Sequence, residues 1–554
     1  MSRHAAADAA RAAAPAVLAV AAFLLFLLAP PGGYALACLT ILASAALHRP
    51  PPLGTDPAAR AVLAAGVLHA AAADYPAPVL LVTGALLLGL PLVEPVVTRL
   101  ARPWYHAAHL PAPPGVPAAF VGNGVAWGVA AAAVLLSGLA AVTTGPAWAL
   151  LAPAVAAAGF IGWLAVDGVR RLRESHRGEL ARLTRALERH RPTFLLYFSA
   201  PPGSAYQIRM WLPHLTQLGE PFLVVTPERH NLAAVAAATS APVVAYDSFE
   251  ALDAVMVPSL RAAFYVNNGM HNAHCVRYTR LTHVQLYHGD SDKAVTASPI
   301  NQLYDRVFVA GQAAIDRFAA HGVTIPAERF RIIGRPQVAA LATAERPVRQ
   351  ARPPVVLYAP TWSGAHADSD YCSLPIAEKI IEALLARGAV AIFRPHPYAT
   401  RDRAGAAHVR WVERRLAADR ASSGREHRFG PEATERMSLF ACMDRSDAMI
   451  CDVSSVASDY LFTGKPFAIT DMRGEGEAFT DHFPVARAAY VVAADAGNLP
   501  AVLDDLLDAD PLQPRRQQLR TYYLGDIPAD RYPEAFLTEA RRCLTDQARP
   551  ARIH

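Results

Sequence analysis

The chain has 554 residues, 53% of them hydrophobic and 18% charged, with a mean hydropathy of +0.19. Charge this far below the roughly 25% of an ordinary soluble protein puts part of the chain in lipid, and the apolar content excludes disorder over most of its length. A formal charge of +5 gives no bulk support for a nucleic-acid partner, and the length asks for about two to four domains.

Residues 1–167 carry few charges and contain apolar runs near 12–30, 31–48, 57–74, 79–98, 117–142 and 146–166. Crossing the hydrocarbon core takes about 20 apolar residues in a helix. The run at 57–74 is alanine-rich and interrupted by His69. Apolar runs repeating this far along the chain do not fit a cleaved signal peptide. Basic residues segregate: Arg3 and Arg11, then Arg49 and Arg60, then Arg99 and Arg102, then the segment after 168. The turns at 30–33, 74–76 and 143–146 hold no Lys or Arg. The positive-inside rule then predicts about six spans as three helical hairpins, with both ends cytoplasmic and the protein multi-pass in the cell membrane. His69 and Glu94 sit near span ends, where ionisable side chains snorkel to the interface.

Residues 168–191 change character, with eight arginines against three glutamates and Leu172, Leu180, Leu183 and Leu187 at helical spacing. They predict a basic juxtamembrane helix. It either attracts anionic headgroups of the membrane lipids or serves as a solvated connector whose charges fix topology. From 192 on, strands alternate with helices. Strands are predicted at Phe194–Phe198, Phe222–Thr226, Val243–Tyr246, Ala263–Asn267, Val284–Tyr287 and Arg306–Val309, then at Val355–Tyr358, Val390–Phe393, Ala448–Cys451 and Phe467–Thr470. That alternation predicts parallel sheets covered by helices. The proline-rich stretch from Arg346 to Pro354 reads as a linker between two doubly wound domains, 192–345 and 346–554, with a cleft where their strand ends meet.

Four segments follow predicted strands, where such folds bind ligands. They are Tyr287-His288-Gly289-Asp290-Ser291-Asp292-Lys293, Tyr358-Ala359-Pro360-Thr361, Arg394-Pro395-His396-Pro397-Tyr398, and Asp452-Val453-Ser454-Ser455 running to Asp459-Tyr460. A His-Gly at a strand end exposes an imidazole able to take a proton from a hydroxyl, and Gly289 lets a ligand approach the backbone. Lys293 offers charge to a phosphate. Arg394 and His396 flank a proline-stiffened turn and suit a pyrophosphate. Ser454 and Ser455 open a helix whose free N–H groups suit an anion. The six cysteines form no C-x-x-C pair and read as reduced and mostly buried thiols. His271 and His274 form H-x-x-H with no third metal ligand in view, and His366 lies in a loop that can meet a donor.

The order of the four segments resembles that of the CDP-glycerol glycerophosphotransferase family of teichoic acid polymerases and primases, over roughly 262–480, with weaker likeness out to Tyr522-Tyr523 and Asp526. The resemblance implies a GT-B-like fold, with acceptor contacts in the first domain and the cytidine diphosphate donor held by the second. It makes His288 the base and His396 a second essential histidine. It places Ser454 and Ser455 on the donor phosphates, with Lys293, Thr361, Arg394 and Gly289 in the binding set. Two departures fall on the acceptor side. Asp290-Ser291-Asp292 replaces Thr-Pro-Leu, and Gly334-Arg335-Pro336-Gln337 replaces Gly-Tyr-Pro-Arg. Two carboxylates beside a phosphate would repel it unless they face elsewhere or hold a cation.

These readings converge on a membrane-bound transferase for cell-wall teichoic acid biosynthesis. It would move glycerol phosphate, or a similar polyol phosphate, from a CDP-linked donor to a hydroxyl on a membrane-linked polymer or lipid acceptor, releasing CMP without cofactor or metal. A GT-B enzyme using a UDP- or GDP-sugar would share the fold, and a non-catalytic nucleotide-binding scaffold would share the membrane half.

Overall fold

The computed structural model describes residues 17–47, 57–100, 104–111, 125–173, 175–344, 346–364 and 370–545. The chain divides into two compact units. One comprises Met1–His106, Pro111–Ala186 and Glu250–Val255; the other comprises Ala107–Leu110, Leu187–Phe249 and Met256–His554.

The first unit is built from apolar helices at Val17–Leu28, Pro30–Leu47, Pro57–Ala71, Ala77–Leu100, Val125–Val142 and Ala147–Arg173. Three are long and apolar enough to cross a membrane: Ala77–Leu100, Val125–Val142 and, within the last, Ala147–Arg170. Small residues face inward, as Ala126, Ala130, Ala133 and Ala140 do, while Leu28, Leu81, Leu92 and Val166 stand exposed. Such packing suits helices in lipid, where close approach of backbones replaces the hydrophobic drive. Some interior polar groups are satisfied by backbone carbonyls, although the buried Thr83 hydroxyl has no partner among the described residues. The Tyr75 hydroxyl bonds the carbonyls of Ala140 (2.7 Å) and Gly145 (2.8 Å), and Ser137 donates to the Leu150 carbonyl at 2.8 Å. Glu94 departs from expectation. It does not snorkel but is buried in an ion pair with Arg60 at 2.6 Å, the two side chains 5% and 3% exposed. Pairing offsets part of the cost of holding two charges in apolar surroundings. The basic segment continues from Ala147–Arg173 into a helix at Ser175–His190, with Leu180, Leu183 and Leu187 buried.

The second unit holds two sheets. Its strands are β1 Tyr105–Ala108, β2 Phe194–Tyr197, β3 Phe222–Thr226, β4 Val243–Tyr246, β5 Ala262–Tyr265, β6 Thr282–Gln285, β7 Arg306–Val309, β8 Phe330–Ile332, β9 Val355–Ala359, β10 Val390–Phe393, β11 Ala448–Cys451, β12 Phe467–Asp471 and β13 Tyr490–Ala493. The first sheet has the order β1-β4-β3-β2-β5-β6-β7-β8, and the second β10-β9-β11-β12-β13. All pairs from β2 to β8 and all pairs of the second sheet are parallel. The chain order reverses between β2 and β5 in one sheet and between β9 and β11 in the other. These are topological switch points, where loops diverge and leave a crevice at the strands' carboxyl ends. The fold is GT-B-like. The C-terminal helix Tyr532–Thr545 returns to the first sheet, where Phe536, Ala540 and Cys543 join Phe194 and Trp211 in the core.

Candidate active site

His288 follows β6 and is fixed from both sides. Tyr287, just before it, takes a left-handed φ of +55°, a conformation that costs a bulky residue energy and persists only where its surroundings impose it. The Trp211 indole N–H imposes it here by donating to the Tyr287 carbonyl. His288 Nδ1 lies 3.0 Å from the Val266 carbonyl. A carbonyl only accepts, so Nδ1 carries the proton and Nε2 presents a lone pair. Burial holds the imidazole pKa down at about 4, with the charge of Arg335 acting in the same direction. The ring is therefore neutral at pH 7.

His396 has the opposite tautomer. Its Nδ1 accepts the Tyr398 backbone N–H at 3.1 Å, so the proton of the neutral ring sits on Nε2, 3.3 Å from the Tyr206 hydroxyl. Burial, then the neighbouring His288, Lys293 and Arg401, push its pKa to about 3. The Tyr206 ring stands edge-on to both histidines, at 6.0 Å from His288 and 5.8 Å from His396 between centroids. One loop thus offers a proton acceptor and the facing loop a neutral donor.

Beside them, Lys293 has no hydrogen-bond or ion-pair partner among the described residues and faces the Tyr371 ring at 5.0 Å. Burial lowers its pKa, although Asp452 pulls it up. Gly289 touches the start of helix Ser455–Leu461: a Cβ there would collide with the Ser455 side chain. At the second switch point the fully buried Asp452 accepts the Thr361 N–H (2.6 Å), the Ser373 N–H (3.1 Å) and the Thr470 hydroxyl (2.7 Å). Thr361 is thereby pinned beside the start of helix Ser455–Leu461. Ser454 occupies the cap position of that helix without capping it, and its buried Oγ has no partner. Arg394 is not gathered with these groups. Its Nη1 donates to the carbonyls of Ala433 and Met437, the latter at 2.8 Å, and so holds a loop.

The two acidic departures face away from the histidines. Arg317 binds both, through Nη1 to Asp290 and through Nη2 to Asp292 at 2.9 Å. Asp292 also accepts the Val485 N–H at 2.9 Å and the Tyr523 hydroxyl at 2.7 Å. Arg335 makes a fork to the buried Asp459, at 2.8 and 3.2 Å, and donates to the His288 carbonyl at 2.9 Å. His271 and His274 do not converge on a common ligand. His271 binds Glu228 at 2.9 Å and His274 the Tyr246 hydroxyl at 2.9 Å. Among the described residues no set of three or more His, Cys, Asp or Glu side chains is arranged to hold a metal ion. His366 lies outside the described residues.

Tyr206, Arg317 and Arg335 are the members that the motifs do not reveal. Tyr206 reaches His396 across 190 positions of sequence and Arg335 reaches Asp459 across 124. Only the proline-glycine loop before Tyr206 and the arginine beside Pro336 hint at special positions.

Residues 223–472 match the family CDP-Glycerol:Poly(glycerophosphate) glycerophosphotransferase. Comparison with curated proteins gave no match. Among solved structures, the chain is similar to a putative UDP-N-acetylglucosamine 2-epimerase from Listeria monocytogenes, with 12% identity, TM-score 0.42, and coverage of 65% of this chain and 99% of that one. It is also similar to the wall teichoic acid polymerase TagF, with 12% identity, TM-score 0.39, and coverage of 69% and 97%. A third is HepE from Anabaena in complex with UDP and glucose, with 14% identity, TM-score 0.35, and coverage of 62% and 99%. At such scores these likenesses carry nothing about substrate.

Proposed function

From a glycerophosphotransferase-family segment over residues 223–472, which makes the chain a CDP-glycerol glycerophosphotransferase-like transferase, we propose a multi-pass membrane enzyme with its catalytic half in the cytoplasm. It transfers glycerol phosphate from a CDP-linked donor to a hydroxyl of a membrane-linked polymer or lipid acceptor. The acceptor is held by the domain at 192–345 and the donor by the domain at 346–554.

In the transfer, His288 Nε2 takes the acceptor's hydroxyl proton, and the oxygen bonds to the donor's β-phosphorus. The bond from that phosphorus to the oxygen bridging it to CMP breaks, and CMP leaves with the electron pair. Such transfers have loose transition states in which positioning and charge stabilisation do most of the catalysis. His396 donates from Nε2 to a phosphoryl oxygen, and Lys293 offsets the charge that develops. Thr361, Ser454 and Ser455 hold the donor phosphates at the second switch point, Gly289 admits them, and Arg394 shapes that side of the pocket by anchoring its loop.

One observation carries this reading: two neutral histidines of opposite tautomer flank the Tyr206 ring, beside a partly buried lysine with no hydrogen-bond or ion-pair partner among the described residues. The test is to incubate native membranes containing the chain with radiolabelled CDP-glycerol, CDP-ribitol and UDP-sugars. Release of CMP from a CDP-polyol supports the proposal. Release from a UDP-sugar alone sinks it.

A further inference from the structure

The first sheet has a switch point of its own, between β2 and β5, and nothing in the scheme above uses it. Ser199 follows β2, Glu228 follows β3 and Asn267 follows β5, so their side chains meet at this crevice. Glu228 lies at its centre. Its carboxylate accepts the Ser199 hydroxyl at 2.7 Å, the Ala200 N–H at 3.3 Å and His271 Nδ1–H at 2.9 Å. With Nδ1 taken, His271 presents Nε2 outward, its side chain 39% exposed, and that nitrogen has no partner among the described residues. Asn268, three residues before it, accepts from Gln285 through Oδ1 at 2.9 Å. Its amide N–H2 is left without a partner among the described residues. The crevice therefore presents a hydrogen-bond acceptor and a donor from one loop, the first oriented by the half-buried Glu228 and the second by the buried Gln285.

The same strand end holds the reacting group, since the Val266 carbonyl fixes His288. Asn267 connects the two places. Its amide donates to the Ser199 carbonyl at 3.1 Å and to Gln207 at 2.7 Å, and Gln207 donates to the Tyr206 hydroxyl at 3.3 Å.

Resting on the transfer reading, we propose that this crevice is an acceptor subsite. His271, held by Glu228, together with Asn268, binds the hydroxyl and ester oxygens of a polyol phosphate unit of the acceptor, adjoining the unit whose hydroxyl reacts at His288. A polyol phosphate both donates and accepts, which matches this pair. A carboxylate at the centre disfavours a free dianion and favours hydroxyl or diester chemistry.

The test uses the full chain in nanodiscs and two lipid-tailed acceptors, one carrying a single glycerol phosphate unit and one carrying three. For His271→Phe and Asn268→Ala, the KM for the three-unit acceptor should rise about 3- to 10-fold, the worth of one net hydrogen bond. The KM for the one-unit acceptor and for CDP-glycerol should stay within about two-fold of wild type. His271→Gln, which keeps an acceptor atom, should recover most of the loss. Unchanged KM for both acceptors, an equal rise for both, or a fall in melting temperature without a KM split would overturn the subsite. Direct binding of a three-unit oligomer without donor separates the two levels. If wild type binds it better than His271→Phe yet turns over no CDP-polyol, the subsite stands and the transfer reading fails. If turnover is normal and binding is equal, the subsite alone fails.

Discussion

His288→Ala removes the only proton acceptor that faces the acceptor hydroxyl in the proposed step, while the donor contacts at Thr361 and Ser454 remain. Turnover should fall by about 10²- to 10⁴-fold, with CDP-glycerol affinity nearly unchanged. Isothermal titration and radiometric turnover on the same preparation check this, and normal turnover in a folded variant would remove histidine catalysis from the scheme. The pH dependence follows from burial. With His288 held at about 4 and His396 at about 3, the free enzyme keeps both rings neutral well below 6.5. The acid limb of kcat/KM should therefore lie below about pH 5, not near the ordinary histidine value. A bound pyrophosphate adds negative charge beside both rings and raises their pKa, so the kcat limb should lie higher. The stability consequence has a definite sign. Depressed histidine pKa values mean that the unfolded chain binds more protons, so each ring's contribution is intact above about pH 6.5 and fades as pH falls toward 4. A kcat/KM limb centred at 6.5 would show that the rings are not buried as described.

Two contacts between elements give sharper tests. Gly289 lies against Ser455, so Gly289→Ala should push the His-Gly loop off the helix that Ser455 opens and weaken donor use. Ser455→Gly removes the colliding atoms. The double variant should recover part of what Gly289→Ala loses, and strictly additive losses in KM would refute the contact. Arg317 neutralises Asp290 and Asp292, all three partly or fully buried. Arg317→Met leaves two uncompensated carboxylates and should cost about 3–5 kcal/mol in stability, read as a lowered urea midpoint. Replacing the two aspartates instead strands the arginine, so Asp290→Thr with Asp292→Leu should lose fold before it retunes acceptor choice. How far such elements can be read from sequence depends on where their partners lie. The predicted strands lie centrally or end in apolar runs. The three that escape prediction, β1, β8 and β13, are all short sheet edges; β1 and β8 are interrupted by His106 and Arg331, and β13, although apolar, is only alternately buried. Likewise the strand-end motifs mark His288, His396 and Lys293, because chemistry and turn residues sit side by side. Tyr206, Arg317 and Arg335 acquire their roles only from partners that the fold brings from far along the chain. The two aspartates read as a hazard for phosphate because their arginine is 25 and more positions away.

At the scale of the whole molecule, the proposed membrane topology makes its predictions through the apolar unit. Its exposed surface is leucine and valine where a soluble bundle would show charge, and its interior holds alanine and paired polar groups. Arg60 and Glu94 pair at the start of one helix and near the end of the next, so those two ends lie at the same level. Arg99 and the basic residues after 168 belong to that side in the proposed topology, in which the positive-inside rule assigns it to the cytoplasm. The same proposal puts the turn at 143–146 outside. Five native cysteines are buried and only Cys38 is half-buried, so a Cys38→Ser background leaves little competing label. In that background Thr144→Cys should react in intact cells with a membrane-impermeant maleimide, and Arg99→Cys should react only after permeabilisation. The reverse pattern would place the catalytic half outside, away from any cytoplasmic nucleotide-linked donor, and would overturn both the orientation and the proposed substrate. Glu94→Gln extends the test from orientation to structure. It takes the carboxylate charge out of the buried 2.6 Å pair with Arg60, a loss of about 1.5–3 kcal/mol for a charge-assisted hydrogen bond. Thermal denaturation in detergent should show that loss, while an unchanged midpoint would mean that the pair faces water and does not join the helices.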